Sequence, residues 1–293
     1  MRRRLFVISN PGAGLSHSSL IDDTLRALQR AGAAPSHTRP TSIAATRLAA
    51  QQAAASGSYE AIVAAGGDGT IRHVAAALID SSVPLGIIPV GTGNVLAHEI
   101  GLKPTADAVA RTLLEGTTIE VACASANGEP FLLMAGAGFD ARVLTDLDQR
   151  TKSLVGKLAY AAPLLGGLFR PLDTLSVAVD GRACQANWVV IANSCHYGGG
   201  FVLTERTGIH QRGLVAILFK ARTRTALARM LTSLARGHVE ILPCSQATIT
   251  SDTPVPVQID GDVVGSTPLT IDAGSSHVRL IVPPGSPSGG GHA

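Results

Sequence analysis

Three short stretches hold residues whose types suit phosphate: Asn10-Pro11-Gly12-Ala13-Gly14, Gly66-Gly67-Asp68-Gly69-Thr70 and Gly91-Thr92-Gly93-Asn94. Glycine lets bare main chain come close to a ligand, and successive N–H groups make a concavity for an anion. Each stretch closes an apolar run and opens a helical pattern, so helix N-termini add favourable dipoles. One such loop alone reads as a tight strand-to-helix turn. Three in register read as the cradle of one polyphosphate. Asp68 is the odd residue among anion-binding loops, and the task that suits it is holding Mg2+ or a nucleotide hydroxyl.

The elements that must position these loops follow from periodicity. "RLFVIS" (4–9), "YEAIVAA" (59–65) and "PLGIIPV" (84–90) are short strand-like runs. Helical patterns follow over Leu20–Ala31, Ile71–Ile79 and "NVLAHEIG" (94–101). Apolar runs alternating with amphipathic helices predict a parallel α/β sheet over residues 1–118, whose strand-end loops share one edge. Beyond Thr117 the runs become short and turn-bounded, as in "TLSVAVDG" (174–181), "NWVVIAN" (187–193), "GLVAILF" (213–219), "QATITS" (246–251), "VPVQID" (255–260) and "VRLIVP" (278–283). That grammar predicts a mainly-β, sandwich-like domain over 119–283, with helices near 151–168 and 222–236. Residues 284–293 read as a flexible tail. The predicted class is thus α/β plus mainly-β, with the site in the cleft between the two domains.

Composition excludes several classes. Apolar residues make up 45% and charged residues 15% of 293 residues, which is globular rather than disordered. A net charge of +3 gives little attraction to polyanions, so no nucleic-acid partner is expected. Cys123, Cys184, Cys195 and Cys244 are scattered, and their spacing fits neither a zinc site nor a disulfide framework. A reducing cytoplasm is the expected location. The apolar run in "MRRRLFVIS" is too short for a signal peptide, and "LAYAAPLLGGLF" (158–169) is too short to span a bilayer. No transmembrane segment is expected, and any membrane contact is peripheral. G-x-G-x-x-G, the P-loop, H-E-x-x-H and G-x-S-x-G are all absent.

"SNPGAG", "AAGGDGTIRHV", "PLGIIPVGTGNVLAHEIG", "AGAGFDARV", "GGGFVLT" and "VQIDGDVVG" follow the order and spacing of the diacylglycerol kinase-like lipid kinases, and the chain resembles that family over nearly its whole length. "GGDGT" alone is shared with NAD kinases and phosphofructokinases; "GTGN" followed by "GFDA" and "DGD" is more specific. The resemblance implies transfer of the γ-phosphate of ATP to a lipid hydroxyl, with Mg2+ and a lipid acceptor at the membrane surface. It implies ATP contacts at Asn10 to Gly14, at Thr38 ending "PSHT" (35–38), at Gly66 to Thr70 and at Gly91 to Asn94.

It also implies a base that takes the acceptor's proton, within Asp260-Gly261-Asp262, where the family reads Asp-Gly-Glu. Either aspartate could serve. The same Asp-Gly pair is the commonest hairpin-turn signal, and "VAVDGRA" (177–183) reads as such a turn. Bacterial relatives hold a structural Mg2+ with an aspartate where this chain has Arg212, so that second metal is expected to be absent. Asp68, Asp260 and Asp262 are therefore the catalytic candidates.

Other features have two readings each. Arg222, Arg229 and Arg236 recur opposite Leu227, Met230, Leu231 and Leu234, as an arginine stripe for anionic headgroups or as an ordinary solvated face. "KLAYAAPLLGGLFR" (157–170) reads as an acyl-chain lining or as a kinked core helix. His73 and His98 follow the glycine loops and have no assigned role. A homodimer is compatible with the sequence. Two further functions remain open: a non-catalytic lipid- or nucleotide-binding protein on this scaffold, and a kinase of soluble substrates resembling NAD kinase.

Overall fold

The computed structural model describes residues 1–10, 18–150, 173–211, 213–220 and 239–286. Its first sheet has six strands in the order β2-β1-β3-β4-β20-β5. These are β1 (Arg4–Ser9), β2 (Ala34–Thr38), β3 (Ala61–Gly66), β4 (Leu85–Pro89), β5 (Thr117–Ala122) and β20 (His277–Val282). The first four pair in parallel, as the apolar runs of β1, β3 and β4 predict, with the polar β2 at the edge. Five helices connect them: α1 (Ser18–Arg30), α2 (Ile43–Ala55), α3 (Asp68–Ala76), α4 (Val95–Glu99) and α5 (Ala106–Glu115). α1 lies against α5, and α2 against α3. The chain moves outward from β1 to β2 and then back past β1 to β3. The direction of winding therefore reverses between β1 and β3, the place where such sheets bind ligands.

Two six-stranded antiparallel sheets follow. One orders β10-β9-β16-β19-β6-β7, from β6 (Ala124–Ala126), β7 (Glu129–Phe131), β9 (Leu175–Val179), β10 (Arg182–Ala186), β16 (Gln246–Thr250) and β19 (Leu269–Asp272). The other orders β15-β14-β11-β8-β17-β18, from β8 (Met134–Gly138), β11 (Trp188–Ala192), β14 (Leu214–Phe219), β15 (Val239–Cys244), β17 (Pro256–Ile259) and β18 (Asp262–Ser266). A small hairpin, β12 (His196–Tyr197) with β13 (Phe201–Val202), forms a two-stranded sheet of its own, and α6 (Phe139–Arg150) follows β8.

The period-two rule sets the packing. Val177, Val189, Ile191, Ala216, Leu218, Ile249 and Ile271 point between the two antiparallel sheets. The opposite faces of β11 and β14 send Trp188, Val190, Ile217 and Phe219 into the core shared with the parallel sheet. The central strands β11 and β14 of that sheet are therefore buried on both sides and tie the two halves together.

A division at 118 falls inside β5, and residues 277–282, expected in the second domain, pair with β4 and β5 of the first sheet. The chain crosses to the sandwich and returns. Alternation within a single strand does not show which sheet it joins, so this return was not readable. α2 and α5, which the periodicity reading did not include, also form. α2 is capped by Ser42, whose side chain accepts from the Ala45 N–H at 3.1 Å. The helices expected near 151–168 and 222–236 lie outside the described residues.

Candidate active site

The glycine loops meet. A Cβ placed on Gly91 would stand 2.5 Å from the Cα of Gly67, so the two loops touch through bare main chain that no larger residue allows. The Asn10 N–H points to the Ala65 carbonyl at 3.4 Å, so the first loop leaves β1 beside the start of the second. Residues 11–14 lie outside the described region. Thr38 ends β2 at the same sheet edge, one strand beyond β1 and paired with Ile8. Thr70 turns back so closely that a Cβ on Gly66 would be 2.4 Å from its own Cβ. Thr92 is exposed.

Asp68 clamps one loop to the next. Its carboxylate accepts from the N–H groups of Val95 at 3.0 Å and Leu96 at 3.1 Å, the first turn of α4. Asn94 holds the intervening turn in the left-handed region (φ 48°), with its amide bonded both ways to Gly91 at 2.8 Å. Burial, opposed by these N–H groups and aided by the charge of Asp262, raises Asp68 above the usual carboxylate range.

The two candidates in "DGD" separate. Asp260 and Gly261 adopt φ of 47° and 87°, closely matching Asp180 and Gly181 at 47° and 82°, so both Asp-Gly pairs are hairpin turns. Asp180 accepts from the exposed N–H groups of Ser245 and Gln246. Asp260 is 4% exposed, and both its oxygens are taken by the N–H groups of Leu132, Leu133 and Met134 at 2.9–3.0 Å. Burial pushes it up to about 6 against those bonds. Asp260 therefore anchors the turn to the segment that leads into β8, and Asp262 projects from that same turn. Asp262 faces the cleft: its carboxylate reaches within 2.3 Å of where a Gly69 Cβ would lie, and its side chain is 48% exposed.

Several residues that sequence reasoning missed complete the site. Arg72, 3% exposed, donates to Asp262 at 3.1 Å. It is four positions past Asp68, one helical turn on, and that spacing was a readable signal. Beside it Arg47 pairs with Glu129 and lies 3.3 Å from His73. Burial, then Arg72 and Arg47, holds His73 down at about 4, so it stays neutral.

Asp140 of "GFDA" is buried, accepting from Gln258 at 3.1 Å and Tyr197 at 3.3 Å; burial pushes it up to about 6. The second half reaches the "GTGN" loop through Gly199, where a Cβ would be 3.5 Å from the Gly93 carbonyl, and through Gly200, packed on His98. Arg212, the arginine stripe (Arg222, Arg229, Arg236) and the segment 157–170 lie outside the described residues.

Residues 4–126 match the family model described as the diacylglycerol kinase catalytic domain, and residues 134–282 match the YegS C-terminal NAD kinase beta sandwich-like domain. A diacylglycerol kinase of Bacillus subtilis is 26% identical over 299 residues, covering 96% of this chain and 97% of its own. A protein of Pseudomonas aeruginosa described as a probable lipid kinase YegS-like is 30% identical over 254 residues, 82% of each chain. An uncharacterized protein of Synechocystis sp. is 28% identical over 237 residues, and the match spans 54% of its length. The solved structure of a diacylglycerol kinase from Bacillus anthracis superposes with a TM-score of 0.75 at 20% identity, covering 97% of this chain and 98% of that one.

Proposed function

Because the chain belongs to the diacylglycerol kinase-like lipid kinase family, we propose that it transfers the γ-phosphate of ATP to the hydroxyl of a membrane lipid, with Asp262 as the base. The observation that carries this reading is the position of Asp262. It is a half-exposed carboxylate brought from the sandwich to the N-terminal turn of α3, beside the contact of Gly67 with Gly91. Phosphoryl transfer is largely positioning and charge neutralisation, and it needs one acceptor for the hydroxyl proton. The N–H groups of the glycine loops bind and orient the phosphates. Asp68 keeps the second and third loops in register, and Asp260 sets the turn from which Asp262 projects.

Mg2+ fits the donor set, since Asp262 and Asp68 offer the hard carboxylate oxygens it takes. A cation there would also relieve the repulsion between them that adds to burial in raising Asp68. When bound, Mg2+ supplies charge neutralisation at the transferring phosphoryl group.

The lipid side of the reading rests on exposed apolar residues around this cleft. Phe201 and Val202 are 69% and 53% exposed on a hairpin whose glycine turn rests on the "GTGN" loop. Val263 and Val264, next to Asp262, are also exposed. A bilayer is the surface that large apolar side chains rimming a reaction site best suit. Among the described residues no helix is long and apolar enough to cross a membrane, so the contact proposed is peripheral.

Labelled ATP offered to the purified protein with diacylglycerol, a sphingoid base and phosphatidylglycerol in mixed micelles, and with NAD in solution, tests the reading. Label in a lipid supports it. Label in NAD supports the kinase of soluble substrates, and nucleotide binding without transfer supports the non-catalytic alternative.

A further inference from the structure

Away from the glycine loops, the last residue of α4 enters a second cluster. Among the described residues, Glu99, Cys195 and His196 are the one group of three metal-ligating side chains whose donor atoms lie within 4.8 Å of one another. We infer that these three residues form a Zn2+ site that ties α4 to the turn between β11 and β12.

The three donors form a closed triangle. His196 Nδ1 is 2.6 Å from Glu99 Oε2, Cys195 Sγ is 3.3 Å from that same oxygen, and Sγ and Nδ1 are 3.1 Å apart. Tetrahedral Zn2+ with bonds of about 2.0–2.3 Å needs donor-to-donor edges of about 3.3–3.6 Å. An ion therefore enters with an opening of less than about 1 Å.

Without an ion the triangle is awkward. The thiol and the Nδ1 position bring at most two protons to three edges, so one edge always lacks a hydrogen bond whichever imidazole tautomer is present. Oε2 is also approached by Ser194 Oγ at 2.8 Å and the His196 N–H at 3.1 Å, which makes four neighbours for one oxygen. A cation resolves both problems.

Charge points the same way. The Glu99 side chain is 2% exposed, and its one ion-pair partner among the described residues is His196. A buried carboxylate with no arginine or lysine partner among the described residues suits a metal cation.

The surroundings are those of a held ligand. Oε1 accepts from the N–H groups of Cys195 and Ile209, each at 3.2 Å, which orients the carboxylate as the outer bonds of metal sites do. Thiolate, imidazole and carboxylate together select a borderline ion over Mg2+ or Ca2+. On binding, the Cys195 S–H bond breaks, its proton goes to solvent and a Zn–S bond forms. Glu99 binds as the carboxylate, and His196 binds through Nδ1 with its proton on Nε2. The ligand charges then balance the ion, and a fourth position is left for water.

Cysteine spacing was silent about this site because it uses one cysteine, its neighbour and an acid 96 positions earlier. Its consequence is mechanical. α4 begins at the N–H groups that Asp68 holds and ends at Glu99, so the ion would fasten the "GTGN" loop to the second half of the chain.

The test uses the full chain and needs no phosphoryl transfer, so its failure is separable from that of the kinase reading. After incubation with Zn2+ and dialysis, about one ion per chain is expected. The Co2+-substituted protein should show thiolate-to-metal charge transfer in the near ultraviolet. Cys195→Ser, which keeps a hydroxyl toward Glu99, should lose that band and weaken Zn2+ binding by about tenfold or more. Zn2+, and not Mg2+, should raise the Tm of the wild type, and by more than it raises that of Cys195→Ser at the same concentration. Wild-type protein without bound Zn2+, or a charge-transfer band that persists in Cys195→Ser, overturns the inference.

Discussion

The guanidinium of Arg72 stands 3.1 Å from the carboxylate of Asp262, although 190 positions separate them in the chain. Arg72 projects from the helix that opens at "GGDGT", and Asp262 opens the strand after the "DG" turn, so the contact joins the two halves at the proposed reaction centre. A base displaced by about 1 Å can lose about a hundredfold in rate. Arg72→Gln should therefore lower kcat by about that factor and leave the KM for ATP nearly unchanged, while Arg72→Lys recovers part of the loss. Steady-state kinetics on the three proteins would check this, and an unchanged kcat in Arg72→Gln would show that the pair does not position Asp262.

The two acids of "DGD" should fail differently. Asp260→Asn removes charge from an acceptor of three buried N–H bonds and should cost about 2–3 kcal/mol, lowering Tm by roughly 3–5 °C. Asp262→Asn alters a half-exposed group and keeps a side-chain oxygen to accept from Arg72, so it should destabilise less than Asp260→Asn while losing transfer. Calorimetry beside activity assays separates the two. Equal destabilisation by both would contradict this division.

His73 gives a signed pH dependence. Its folded pKa is lowered to about 4 by burial, then by Arg72 and Arg47, while the unfolded chain takes up that proton near 6.5. Between those values the unfolded state binds more protons, so this residue's share of stability is present above 6.5 and lost as pH falls toward 4. Asp140 and Asp260, both raised to about 6, act in the opposite direction below that pH. The comparison that isolates His73 is wild type against His73→Asn: the variant's Tm should fall less between about pH 7 and pH 4.5. Parallel curves would mean that His73 is not held neutral.

Phe201 and Val202 should matter only where there is a bilayer. Replacing both with serine removes two apolar anchors, of which a fully buried phenylalanine is worth about 1.5–3 kcal/mol. Co-sedimentation with phospholipid vesicles should drop by about tenfold or more, while transfer to a short-chain, water-soluble lipid analogue stays unchanged. Unaltered vesicle binding would place the membrane contact elsewhere.

Much of the first half of the chain was legible because its signals are local. Apolar runs of "RLFVIS" and "AIVAAG" ending in glycine give buried parallel strands and their loops without knowledge of distant residues. The Asp-Gly turns were legible for the same reason. What distinguishes Asp260 from Asp180 is the company of Leu132, Leu133 and Met134, more than 120 positions away, and no local pattern carries that. The same limit hid the partnership of Glu99 with Cys195 and the return of residues 277–282 to the first sheet. Propensity makes a strand, and tertiary packing decides which sheet receives it.

The most direct test of the central claim is transfer of label from γ-labelled ATP to lipid in mixed micelles by wild type and Asp262→Asn, with ATP affinity measured on both. The account predicts a labelled lipid from wild type, its loss in Asp262→Asn, and an ATP Kd that differs by less than about threefold between them. Full transfer by Asp262→Asn, or no labelled lipid from wild type that binds ATP, would contradict it.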